Sequence, residues 1–148
     1  MPMPIKVLFL CTGNYYRSRF AEILFNRHAA RLSLDARADS RGVAIELGVD
    51  NPGPLSAHAF NRLKRLEVMD ETASRFPRQV EEEDFRRADL IIALDETEHR
   101  PMIQKRYAPW ANRIEYWNVA DLGFSSHEEA LPAIERKVLD LISRLNKP

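Results

Sequence analysis

The segment Cys11-Thr12-Gly13-Asn14-Tyr15-Tyr16-Arg17-Ser18 holds the residue types and spacing of a site for a tetrahedral anion. Five residues separate Cys11 from Arg17, enough for a loop to curl around the anion with its amides pointing inward. The Arg17 fork then closes the ring with paired contacts to the anion's oxygens. Cys11 is the candidate nucleophile, since a thiolate in electropositive surroundings attacks phosphorus or a similar centre. Gly13 supplies backbone freedom, and Asn14 tolerates a left-handed conformation while bracing the loop. Ser18 can donate a hydrogen bond to the sulfur. Tyr15 and Tyr16 either line the mouth and select aromatic leaving groups or serve as packing aromatics. A free cysteine also commonly acts as a small buried hydrophobe, so the spacing needs support from its surroundings.

That support comes from the flanking elements. Ile5 to Leu10 is a short, nearly continuous apolar run, as expected of a strand covered on both faces. Helical spacing follows from about Ser18 to Leu32, with Phe20, Ile23, Leu24, Ala30 and Leu32 able to share one face. Cys11 therefore lies at the carboxyl end of a strand and faces a helix N-terminus, whose dipole and free N–H groups favour a thiolate. Weak alternation at 36–40 precedes a loop with Gly42, Gly48, Pro52, Gly53 and Pro54. Ser56 is a plausible N-cap for a helix to Leu66, and Asp70 to Glu83 is a polar connection. A strand at 88–94, a helix at 96–107, a strand at 114–117 and a long closing helix at 127–145 complete the pattern. Strands alternating with helices predict a parallel α/β sheet in a single domain over 1–148.

Composition narrows the function. The chain has 148 residues, 45% hydrophobic and 30% charged, with 22 basic and 22 acidic side chains. This balance argues against nucleic acid or an anionic membrane as partner. No stretch approaches the ~20 apolar residues of a membrane span, and the start lacks the pattern of a cleaved secretion signal. One cysteine offers neither an internal disulfide nor a Cys-rich metal cage. His28, His58, His99 and His127 lack metal-ligand spacing and are expected at the surface. The reading is a cytoplasmic protein with no metal and no cofactor; nothing in the pattern specifies an oligomeric state.

The chain resembles the low-molecular-weight protein tyrosine phosphatases. The resemblance runs through residues 7–14, Arg17-Ser18, Ala21-Glu22, Asp39-Ser40-Arg41-Gly42, Arg78-Gln79-Val80, Glu83-Asp84-Phe85 and residues 88–97. It implies a three-layer sandwich, a four-stranded parallel sheet flanked by helices. It also implies a phosphomonoesterase working through a phosphocysteine on Cys11, with a phosphorylated protein or small phosphomonoester as substrate. Thr12, Gly13, Asn14, Tyr15, Tyr16 and Ser18 would bind the substrate, and Ser40 would support the loop. The family carries its general acid as a late Asp, usually followed by Pro and an aromatic. Asp121 matches that place, with Phe124 left to stack on the leaving group. Leu47 lies near the family's specificity position.

Several residues depart from the family pattern. Tyr16 stands where a second cysteine often guards the nucleophile, so oxidised Cys11 has no partner within the loop. Arg19 replaces a Pro at the helix start, giving up rigidity and adding positive charge near the loop. Leu122 and Gly123 replace the Pro and first aromatic after the acid. Arg75 lies near where some members carry a His that orients the loop Asn. Two other functions share the oxyanion loop: a glutaredoxin-coupled arsenate reductase and a non-catalytic phosphate-binding module. A relay through further cysteines is excluded by the single thiol. Binding alone needs neither the thiol nor Asp121.

Overall fold

The computed structural model describes residues 3–121 and 126–147. Strand β1 (Ile5–Cys11) leads through the anion loop into helix α1 (Arg17–Arg31), and β2 (Ala36–Gly42) follows. After a long loop come α2 (Ala57–Arg65), α3 (Glu82–Arg87) and β3 (Leu90–Ala93). Helix α4 (Glu96–Arg106), the two-residue β4 (Glu115–Tyr116) and α5 (His127–Leu145) complete the chain. The four strands form one sheet in the order β2-β1-β3-β4, every pairing parallel. Helices cover both faces, which is the expected three-layer α/β architecture.

β1 reads as a continuous apolar run because it is buried on both sides. Val7, Phe9 and Cys11 join the core beneath α1, α2 and α5, while Leu8 and Leu10 join the opposite core with Phe85, Ile91 and Ile103. The chain leaves β1 for β2 on one side and returns for β3 on the other. The loop after β1 thus occupies the point where strand order reverses, where open α/β sheets bind ligands.

Two details differ from the sequence reading. Leu32 lies past the end of α1 and is exposed, as is Ala30; the buried face uses Phe20, Ala21, Ile23, Leu24, Phe25 and Ala29. The polar connection at 70–83 runs into α3, which has a capping box between Glu81 and Asp84 and buries Phe85. Its acids sit at the helix N-terminus and Arg86 and Arg87 at its end, so the charge run complements the helix dipole. Among the described residues, no helix is long and apolar enough to cross a membrane.

Candidate active site

The anion loop is fixed by what its carbonyls and side chains touch. The carbonyls of Cys11 and Thr12 accept from the amides of Val43 (2.9 Å) and Ala44 (3.0 Å), tying the loop to the chain after β2. Gly42 permits that approach, since a Cβ there would stand 2.7 Å from the Thr12 carbonyl oxygen and 2.6 Å from Ile45. Among the described residues, the amides of Gly13 to Arg17 donate to no backbone carbonyl. They remain available at the N-terminus of α1, which has no side-chain cap and no acid in its first turn. Gly13 keeps an ordinary φ; Asn14 takes the left-handed conformation, at φ 52°.

Asn14 is fully buried and acts as the hub of the loop. Its amide donates to Ser18 Oγ (2.9 Å) and Ser40 Oγ (2.9 Å), and its carbonyl accepts from the Arg78 amide (3.0 Å) and Arg75 Nη1 (3.2 Å). Ser18 Oγ lies 3.0 Å from Cys11 Sγ. Either atom can donate across that contact; toward a Cys11 thiolate, which has no proton, the Ser18 hydroxyl is the donor. Ser40 Oγ donates to Glu22 Oε1 (2.5 Å), which also accepts from Arg75 Nη2 (3.2 Å). Burial pushes the Glu22 carboxyl up, and Ser40, Arg75 and Arg19 pull against that shift. Arg75, near where some family members carry a His, thus donates to the loop Asn itself.

Arg17 is 2% exposed. Its Nη1 donates to the Val119 carbonyl (2.9 Å), and its Nη2 to Glu98 Oε2 (2.8 Å), with Asp121 Oδ2 at 3.8 Å. Burial works against its charge, but Cys11, Glu98 and Asp121 outweigh this and hold its pKa above the ordinary value. The segment carrying Val119 and Asp121 is anchored to the sheet. Amides of Trp117 and Val119 donate to Ala93 and Leu94, and that of Glu96 to Trp117 (each 2.8 Å).

Glu98 and His99 escaped the sequence reading. Glu98 Oε2 accepts from Arg17 and from Thr12 Oγ1 in a short hydrogen bond, and lies 3.2 Å from His99 Nε2. Burial would raise the Glu98 carboxyl, but hydrogen bonds from His99, Arg17 and Thr12 prevail and hold it well below the usual carboxylate range. His99 is fully buried rather than at the surface. Its Nδ1 accepts from the Asp95 amide (3.0 Å), which assigns the proton to Nε2, facing Glu98 and Thr12. Both residues stand in the first turn of α4; the only sequence signal was an adjacent acid and imidazole at a strand's carboxyl end. Arg19, whose charge the sequence places near the loop, is fully buried: it lies 3.6 Å from Glu22 Oε1 and donates to the carbonyls of Pro54, Thr72 and Arg75, stapling the surrounding loops.

A cavity of about 250 Å³ brings together Cys11, Thr12, Gly13, Tyr15, Tyr16, Arg17 and Asp121. Tyr15 hydrogen-bonds the Pro52 carbonyl (2.6 Å), while Tyr16 is buried in the core, its hydroxyl without a hydrogen-bond partner among the described residues. Each tyrosine thus both packs and lines the mouth. A larger cavity of about 740 Å³ shares Thr12, Gly13 and Asp121 and adds Leu47 and Glu98. Leu47 is 67% exposed on its rim. Phe124, with Leu122 and Gly123, lies outside the described residues.

A thiol, a buried guanidinium and a carboxylate around one cavity suit nucleophilic displacement at a tetrahedral anion. The family model for low molecular weight phosphotyrosine protein phosphatase matches residues 6–148. The chain belongs to this family. A low molecular weight phosphotyrosine protein phosphatase of Dictyostelium discoideum is 33% identical over 101 residues, covering 62% of this chain and 56% of that relative. The chain thus spans little more than half the length of that relative. The crystal structure of YfkJ from Bacillus subtilis has a TM-score of 0.83 at 25% identity, covering 97% of this chain and 96% of that one. A family member from T. tengcongensis has a TM-score of 0.78 at 26% identity, covering 95% and 99%.

Proposed function

We propose that this protein is a cysteine-dependent phosphomonoesterase acting through a phosphocysteine intermediate. Cys11 attacks phosphorus, forming the S–P bond as the ester O–P bond breaks. Asp121, protonated, gives its proton to the departing oxygen. A water then attacks the phosphocysteine and passes a proton to Asp121, and cleavage of the S–P bond returns the thiolate with inorganic phosphate. Arg17 and the free loop amides hold the non-reacting oxygens, and the Ser18 hydroxyl steadies the sulfur as nucleophile and as leaving group.

One observation carries this reading. Cys11 at the end of β1, Arg17 at the start of α1 and Asp121 beyond β4 line the same cavity, although a hundred residues separate thiol from acid. In the resting protein Arg17 holds Glu98, so a phosphoryl dianion must take over that fork on entry. The substrate is a phosphorylated protein or a small phosphomonoester. Exposed Leu47 gives the rim an aliphatic surface, which suits leaving groups beyond phosphotyrosine. A cytoplasmic setting agrees with a nucleophile that has no in-loop redox guard. The test is p-nitrophenyl phosphate turnover: wild type hydrolyses it, and Cys11→Ser reduces the rate to background. Equal rates in the two proteins would end the proposal.

A further inference from the structure

The sheet face opposite α1 is only partly covered. Helices α3 and α4 pack against β1 and β3 there, while the β2 end opens into a groove of about 400 Å³. Six basic side chains line it: Lys6, Arg37, Arg41, Arg75, Arg78 and Arg87. Three carboxylates accompany them, leaving an excess of three positive charges in a chain whose formal net charge is zero.

The carboxylates are already engaged. Arg41 holds Asp39 (2.8 Å) and Asp84 (3.3 Å), and Arg75 holds Glu22 (3.2 Å). Among the described residues, the side chains of Lys6, Arg37 and Arg78 have no carboxylate within 4.0 Å, whereas Arg87 pairs with Glu83. Lys6 and Arg37 are also direct register partners on adjacent strands, so two like charges stand side by side on one face. Such a pair costs stability, and an anion shared between them removes the cost.

The groove adjoins the bracing of the nucleophile. Arg75 Nη1 and the Arg78 amide are both donors to the Asn14 carbonyl, and Asn14 holds Ser18 against Cys11. Segment 75–78 therefore faces the groove on one side and the anion loop on the other. We propose that the groove is a second anion site, taking a phosphate-type dianion, either inorganic phosphate or the phosphoryl group of a small metabolite.

The probe is inorganic phosphate, followed by amide chemical shifts in ¹⁵N-labelled protein. Two separately saturating sets are expected, one at Gly13–Ser18 and one at Lys6, Arg37 and Arg78. Arg37→Ala should raise the Kd of the second set at least tenfold while leaving the first unchanged, and Arg37→Lys should restore most of the affinity. The unchanged first set also shows that the variant is folded. Repeating the titration with ribose 5-phosphate on Cys11→Ser separates the sources: tighter binding than phosphate in the second set marks a metabolite site, and equal binding marks recognition of the phosphoryl group alone. The proposal falls if the second set never moves, or if it follows the first set's Kd and ignores Arg37→Ala. Because only the second set tests the groove, failure here leaves the catalytic reading standing, and failure of the Cys11→Ser assay leaves this site standing.

Discussion

Cys11 and Asp121 face the same cavity but are held in opposite ways. The thiol ends the central strand, 3% exposed, and its loop is fixed by Asn14, Ser18, Ser40, Glu22 and Arg75, each constraining the next. Asp121 has a side chain 46% exposed, in a segment anchored to the sheet at 117–119 but belonging to neither helix nor strand. Phosphate binding asks for a ring of donors in place before the ligand arrives. Proton transfer asks for a group that reaches one oxygen and then a water. Thiol-side substitutions are therefore expected to alter stability and activity together, and acid-side substitutions activity alone.

The largest separation is expected from Asp121→Asn. As proposed general acid, its loss should lower kcat by about 10²–10⁴-fold on an aryl phosphate with a poor leaving group. Its carboxylate, half-exposed and 3.8 Å from Arg17, should contribute no more than about 1 kcal/mol to stability. Comparing kcat across leaving groups, alongside urea denaturation, checks both halves. Full activity on the poor leaving group would remove Asp121 from the mechanism.

Asn14→Ala should act on both quantities. It strands the partners of four hydrogen bonds and puts a Cβ-bearing residue without a polar side chain at φ 52°. A loss of about 2–4 kcal/mol is expected, with kcat down about 100-fold through misplacement of Ser18 and Cys11. Asn14→Gly separates the causes: glycine restores the backbone conformation but not the bonds. If Gly recovers kcat, the hydrogen-bonded hub is irrelevant to catalysis and the contrast collapses.

The same difference explains what the sequence disclosed. Loop, strand and helix were legible because they are local: an apolar run, a Cys-to-Arg spacing and a 3.6-residue period lie within thirty residues. Ser40 and Asp121 became legible through the family resemblance, since nothing local marks either. Glu98 and His99 were missed because an acid in the first turn of a helix ordinarily reads as a dipole partner. Only the pairing of β1 with β3 brings α4 beside Thr12 and Arg17. The burial of Arg19 was illegible for a similar reason. Besides Glu22 at i+3, 3.6 Å away, its partners are carbonyls from loops 35 to 56 residues distant, and no local pattern in the sequence marks those.

Glu98→Gln tests a residue shared by both sides. The carboxylate stays ionised far below neutral pH and occupies the Arg17 fork. Its folded-state pKa is depressed, so its stabilising contribution is present above the unfolded value near 4.5 and is lost only as pH falls toward the lower folded one. At neutral pH it competes with every entering dianion. Glutamine keeps the shape and removes the charge, and the inhibition constant for inorganic phosphate should fall about tenfold, corresponding to ~1.4 kcal/mol. An unchanged or weaker inhibition would mean that Glu98 does not oppose the ligand.

Tyr16→Phe should have the smallest effect, and it separates packing from chemistry on the thiol side. The hydroxyl is buried without a partner among the described residues, and burial pushes its pKa up to about 12, with Arg17 opposing and Asp121 adding to the shift. Removing an unpaired buried hydroxyl should stabilise the fold by about 1 kcal/mol at pH 8. A raised folded pKa means that stability is intact below the unfolded value of 10.0 and declines as pH rises toward 12, because the unfolded tyrosine ionises first. The variant lacks this decline, so its advantage over wild type should widen by about 1 kcal/mol between pH 8 and pH 11. Chemical denaturation of the pair at both values reads the difference directly. A variant less stable than wild type at pH 8 would show that the hydroxyl is satisfied in solution, making Tyr16 part of the hydrogen-bonded loop rather than a packed aromatic beside it.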